Sequence, residues 1–152
     1  MNREQIEVGT FAFFSVLAAS DGSKLFKTAV RKVKHWEDVQ PDDQPALLMR
    51  HTKERAEFRK GLPTRWWFTY ELFIYVSTDA QMNPDALPSQ LINPLLDAID
   101  NALKPDDLDG HTATLGGLVS HCAINGDVLI FEGHLGNEAV VIVPIEVLAT
   151  GN

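Results

Sequence analysis

The sequence predicts an α+β fold: a mostly antiparallel β-sheet with two main helices in a single domain. Three observations predict it. Apolar residues recur at helical spacing in two stretches, one near the start and one around Leu95. Between them, residues 66–77 alternate like a strand and are rich in aromatics. The last third is a series of β-branched runs broken by turn residues. The order helix, strands, helix, strands argues against a Rossmann arrangement. A length of 152 residues is one ordinary domain, and no internal repeat or second boundary is visible.

Taken in order, Ile6, Thr10, Phe13, Phe14 and Leu17 mark an amphipathic helix over 3–19, ended by the turn residues Asp21-Gly22-Ser23. The β-branched content of 26–36 predicts a strand, followed by an acidic turn through Pro41. Pro45 to Arg50 reads as a short apolar strand. The mixed charges of 51–64, ending in Gly61-Leu62-Pro63, read as a projecting hairpin arm. In the strand 66–77, Trp66, Phe68, Tyr70, Leu72, Ile74 and Val76 share one face, and Trp67, Thr69, Glu71, Phe73 and Tyr75 the other. Aromatics on both faces predict a central strand covered on both sides.

Residues 78–88 are a polar connection. The second helix carries Leu95, Ile99, Ala102 and Leu103. Either Asn93-Pro94 opens it, or it starts at Ser89 with Pro94 inside. An acidic loop spans 104–114. Leu118–Ile124 and Asp127–Glu132 flank Asn125-Gly126, a strong hairpin signal. After a turn over Gly133 to Gly136, Glu138–Leu148 forms the last strand, in which Pro144 belongs at an edge or a bulge.

Composition excludes several classes. An apolar share of 45% with 22% charged residues is that of a folded soluble chain, not a disordered or collagen-like one. The longest apolar runs, such as Ala139–Ile145, fall far short of the ~20 residues of a membrane span. No basic start with an apolar stretch and a small-residue cleavage site is present, so the expectation is a protein made and folded inside the cell. The single cysteine, Cys122, cannot form an intramolecular disulfide. A net charge of −8 argues against gripping nucleic acid through phosphates.

That charge is segregated. Residues 24–65 hold eleven of the thirteen Lys and Arg against six acids, a net of +5, while Trp66 to Asn152 holds one base against twelve acids, a net of −11. Such patterning reads either as a solvated surface or as two faces of opposite sign that meet between copies.

Catalytic motifs are missing. There is no Walker loop, no Gly-x-Gly-x-x-Gly and no Gly-x-Ser-x-Gly elbow. Leu115-Gly116-Gly117 needs only a turn or a close approach. Around Asp106, Asp107 and Asp109, a calcium-loop alignment on Gly110 puts Pro105 and Gly116 at ligand positions, so it collapses. His111, His121, Cys122 and His134 are metal-ligand types, but the predicted hairpin sets His121 opposite Ile130 and turns Cys122 to the apolar face. The enzyme alternative is a small metal-dependent hydrolase using His121, His134 and Glu132.

In order along almost the whole chain stand the amphipathic first helix, Arg31-x-x-x-His35-Trp36-x-Asp38-Val39, Gln44-Pro45-Ala46-Leu47 and the aromatic strand from Trp67 to Tyr75. They are followed by Leu91-x-Asn93-x-Leu95-Leu96-Asp97-Ala98-Ile99, Thr114-Leu115-Gly116-Gly117-Leu118-Val119 and a last strand with Val143-Pro144-Ile145. This combination resembles the tail terminator (tail completion, minor tail) proteins of long-tailed bacteriophages. Segment 51–64 departs from the pattern. The resemblance implies a twisted sheet with two helices packed on one side. It also implies a structural virion protein, made in the host cytoplasm, whose hexameric ring caps the head-proximal end of the tail tube and stops its polymerisation. Its implied partners are its own copies, the tail tube protein and a neck or head-completion protein. Genomic DNA passes through without specific binding; no cofactor, metal, membrane or catalysis is implied. A neck or tail connector subunit is the neighbouring alternative.

A closed ring needs two unlike contact surfaces on each subunit. The charge segregation nominates Arg31, Lys32, Lys34, Lys53, Arg55, Arg59 and Lys60 on one, and Asp97, Asp100, Asp106, Asp107 and Asp109 on the other. The same acids could instead line a DNA-repelling channel or solvate the outer wall.

Overall fold

A computed structural model describes residues 1–78, 87–133 and 137–151. Helix α1 spans Arg3–Ser15, strand β1 Thr28–Val30, β2 Ala46–Glu57 and β3 Arg65–Ser77. Helix α2 spans Pro88–Ala102, and β4 His121–Ile124, β5 Leu129–Glu132 and β6 Glu138–Thr150 follow. The sheet is open and six-stranded in the order β1-β2-β3-β6, with β4 and β5 both on the far side of β6. Among the described residues, only β1 and β2 pair in parallel. The fold is therefore α+β.

Both helices pack on one face. Ile6, Thr10 and Phe14 recur every four residues, so one stripe of α1 is buried. Ile92, Leu95 and Ile99 do the same for α2. They meet Leu47, Met49, Phe68, Tyr70, Leu72 and Ile74 from β2 and β3, and Val141, Val143, Ile145 and Val147 from β6. Asn2 caps α1 by accepting from Gln5 N at 3.1 Å. Gly9 allows close approach to Leu118, because a Cβ there would lie 2.5 Å from Leu118 Cδ2. Of the two starts open for α2, the earlier is taken: Pro88 occupies the first turn and Pro94 lies inside the helix.

Among the described residues, the opposite face is covered only at one end. Val39, Ala46, Leu48, Tyr75 and Val140 form a second cluster beneath Val33 and Trp36, and Tyr75 Oη donates to Lys34 O at 2.6 Å. At the other end Trp67 remains half-exposed beside Arg55 and His121. Among the described residues, the expectation of cover on both sides of β3 is thus corrected to half its length, because the segment that covers the helix-free face is the short stretch after β1.

Helix α1 ends at Ser15 with Val16 as its C-cap, short of the expected 19, because Leu17 and Ala19 instead bond to Leu25 and Ser23 across the following turn. Four further element boundaries differ from expectation. The strand at 26–36 contracts to β1, because Arg31 turns away to bind Glu4 and Glu7 of α1, and Trp36–Asp38 and Pro41–Asp43 form single helical turns. The separate strand and arm at 45–64 merge: β2 runs on to Glu57, paired with β3 down to Glu57↔Arg65. Since β1 pairs only with Ala46–Leu48, the outer side of β2 beyond that point is a sheet edge, where alternating charges belong. Only residues 58–64 extend past the ladder.

The third difference is the hairpin at Asn125-Gly126, which does not form. β4 and β5 run in the same direction along β6, β4 against Ile145–Leu148 and β5 against Ala139–Ile142. They are one edge strand interrupted at 125–128, opposite Pro144. Proline has no N–H for the ladder, and Asn125 N instead donates to Pro144 O at 3.2 Å. Pro144 therefore sits at a bulge inside the sheet, its other side paired with Glu71 of β3. Finally, residues 115–117 all have positive φ, which delays the start of β4 from Leu118 to His121. The connection at 79–86 and the turn at 134–136 lie outside the described residues.

Candidate functional site

The sheet has two unlike ends. At one, β1 is three residues long and half-buried, flanked by exposed Lys27, Lys32 and Lys34. At the other, Leu129, Ile130 and Phe131 of β5 are 46%, 46% and 39% exposed. Asp127 precedes them, Glu132 ends the strand, and both acids are exposed. The adjoining edge of β4 is partly occupied, because Cys122 N donates to Ala113 O at 2.8 Å. Among the described residues, β5 is thus an open apolar edge strand, a geometry that soluble proteins ordinarily blunt.

The nominated basic residues separate into four places. Arg31 is turned inward: its guanidinium holds Glu4 through two hydrogen bonds of 2.7 and 3.2 Å and reaches Glu7 at 3.0 Å. That contact lowers the Glu4 carboxyl below its usual range. Lys32 and Lys34 flank β1. Lys53 and Arg55 stand on the helix-free face of β2, with the Arg55 guanidinium 5.5 Å from the Trp67 ring. Arg59 donates to Pro63 O at 2.6 and 3.2 Å, bracing the hairpin tip, and Lys60 is exposed beside it. They do not form one surface.

The acids divide similarly. Asp97 and Asp100 are exposed on α2, away from the Ile92–Ile99 stripe. Asp106 and Asp107 organise their own loop. Asp106 accepts from the Thr114 and Gly116 amides, and Asp107 Oδ1 from those of His111 and Thr112. These amide bonds hold both carboxyls below the usual range. Asp107, Asp109 and His111 bring ligand atoms within 4.8 Å of one another, the group among the described residues that could meet a divalent cation. One Asp107 oxygen is already taken by two amides, and Asp109 and His111 are exposed.

The set nominated for hydrolysis is not brought together. His121 lies opposite Leu148, not Ile130, and Glu132 lies opposite Ala139. The two sites are nine positions apart along β6, about 30 Å at strand rise. His134 lies outside the described residues. His121 is half-buried and its Nδ1 hydrogen-bonds with Thr112 Oγ1. Cys122 points into the helix-side core as the apolar pattern predicted, and burial pushes its thiol up to about 12.

Two polar clusters were not legible in the sequence. Between α1 and β2, His51 has Nδ1 3.8 Å from Glu7 and Nε2 3.7 Å from Glu54, while Arg3 pairs with Glu54 at 3.0 Å and lies over the Trp66 ring. On the other face, buried Gln44 binds buried Glu138. Neither has a local signal, since the partners are far apart in the chain. Compared with known proteins, the chain matches no protein-family model and no curated protein.

Proposed function

We propose that this chain is a structural subunit that assembles into a homo-oligomeric ring and caps the head-proximal end of a phage tail tube. In that role the ring stops tube polymerisation and offers a docking surface to a neck or head-completion protein, while genomic DNA passes through. The observation that carries the reading is β5, with three consecutive large apolar side chains exposed on a sheet edge that no other described residue pairs. An edge of this kind is a template for pairing with another chain. The ordered resemblance along the sequence supplies the identity of the assembly, and the one-sided placement of both helices agrees with the fold that resemblance implies.

Native mass spectrometry with negative-stain microscopy tests the ring: closed oligomers are expected, and a monomer at every concentration overturns it. A micrograph of particles carrying labelled protein tests the position. Label at the head-proximal tail end supports the terminator reading; label deeper in the neck favours a connector subunit.

A further inference from the structure

We infer that neighbouring subunits join their sheets edge to edge, β5 of one copy pairing antiparallel with β1 of the next. This rests on the ring reading above and specifies its contact. A head-to-tail repeat keeps every subunit in the same orientation relative to its neighbours. Within the chain β1 and β2 run one way, β3 the other, β6 with β1, and β5 against it. A β5 edge brought against the β1 edge of an identically oriented copy is therefore antiparallel.

The faces then restrict the register. Thr28 and Val30 lie opposite Ala46 and Leu48, on the helix-free face, and Ala29 lies opposite Leu47, on the helix face. Leu129 and Phe131 lie opposite Ile142 and Val140, on the helix-free face, and Ile130 lies opposite Val141, on the helix face. A one-residue slip would put every side chain on the wrong face. Setting Ala29 opposite Ile130 matches all of them, pairing Thr28 with Phe131 and Val30 with Leu129. The same register sets Lys27, whose amide still bonds to Pro45 O, opposite Glu132 at the end of β5. A slip by two residues in either direction breaks the Lys27–Glu132 pair. The apolar centre with a basic residue against an acid at its end, Lys27 against Glu132, is the charge complementarity that selects this partner edge. Pairing two β5 strands with each other would instead gather Asp127 and Glu132 of both copies along one seam. The +5 and −11 segments of the sequence then have a structural meaning at these two edges, through Lys27 and Glu132 rather than the bases of the hairpin tip.

Disulfide trapping in the full-length protein tests this. Ala29→Cys and Ile130→Cys place thiols directly opposite each other across the seam, and buried Cys122 offers no competing reaction. In the double variant, mild oxidation should give a covalent ladder from dimer up to the ring, while neither single variant cross-links. Dimers from Ile130→Cys alone would mean a β5–β5 seam and overturn the proposal. Closed rings by mass that yield no ladder would overturn the edge pairing and leave the ring reading standing. A monomer at every concentration would overturn both. As an independent arm, Lys27→Glu should slow assembly at low salt by about tenfold, and Glu132→Lys in the same chain should restore it. Equal rates for the single and the double variant would also overturn the register.

Discussion

Gln44 donates its Nε2 hydrogen to Glu138 Oε1 at 2.9 Å, joining side chains 94 positions apart that are only 3% and 7% exposed. Gln44 also donates to Val39 O at 3.1 Å, which pins the covering segment to the sheet. Their other oxygens, Gln44 Oε1 and Glu138 Oε2, are buried without a hydrogen-bond partner. A proton on Glu138 supplies a donor where two acceptors otherwise stand unpaired. Burial pushes the Glu138 carboxyl up, against the smaller opposing pull of the Gln44 hydrogen bond.

The pH dependence follows in sign. A carboxyl raised in the folded state keeps its proton where the unfolded chain has lost it, so stability falls as pH rises through the raised value. Urea unfolding followed upward from the ordinary glutamate range should show this component in the wild type and lose it in Glu138→Gln. Comparison with the variant isolates it from Asp106 and Asp107, whose lowered values act in the opposite direction. Gln44→Ala, which removes the donor from a buried acid, should cost about 1–3 kcal/mol.

Gly126 lies opposite Pro144 with φ +123°, and a Cβ there would meet Pro144 Cγ at 3.3 Å. Gly126→Ala should therefore destabilise by at least about 1 kcal/mol, read as a lower urea midpoint with an unchanged slope. A neutral outcome would mean that the bulge is not built around this pair.

Cys122 should be silent towards thiol reagents in the native protein, because it is 2% exposed and its thiol is held protonated at neutral pH. One thiol should titrate after denaturation. Rapid labelling under native conditions would contradict the placement of β4 against the core.

Amide exchange should divide the hairpin at residue 58. The ladder from Lys53 to Glu57 is paired with β3 and should be slow at its inward amides, whereas residues 59–64 should exchange quickly in the free subunit. Uniformly fast exchange across 51–64 would restore the independent arm that the charge pattern suggests.

What the sequence determined by itself was periodic and local. The 3.6-residue spacing of Ile6, Thr10 and Phe14, and of Leu95 and Ile99, made two helices legible, and strict alternation made β3 legible with its faces correctly divided. Cys122 was assigned to the apolar face on a hairpin register that does not form; it reaches the core because β4 pairs with β6, Cys122 opposite Val147. What only the tertiary structure decided was which neighbour each edge meets. Asn125-Gly126 carries hairpin chemistry, yet β6 offers a long partner to both flanking strands, and Pro144 sets the break where the turn signal lies. Charges at 51–57 look like a free arm until β3 supplies a ladder and β1 proves too short to cover the other side. The Gln44–Glu138 and Arg31–Glu4 contacts depend on chain segments that meet only when the sheet has formed. A local pattern reports which face of an element is apolar; the identity of the partner is a property of the whole sheet, because pairing energy is gained only between segments that topology brings together.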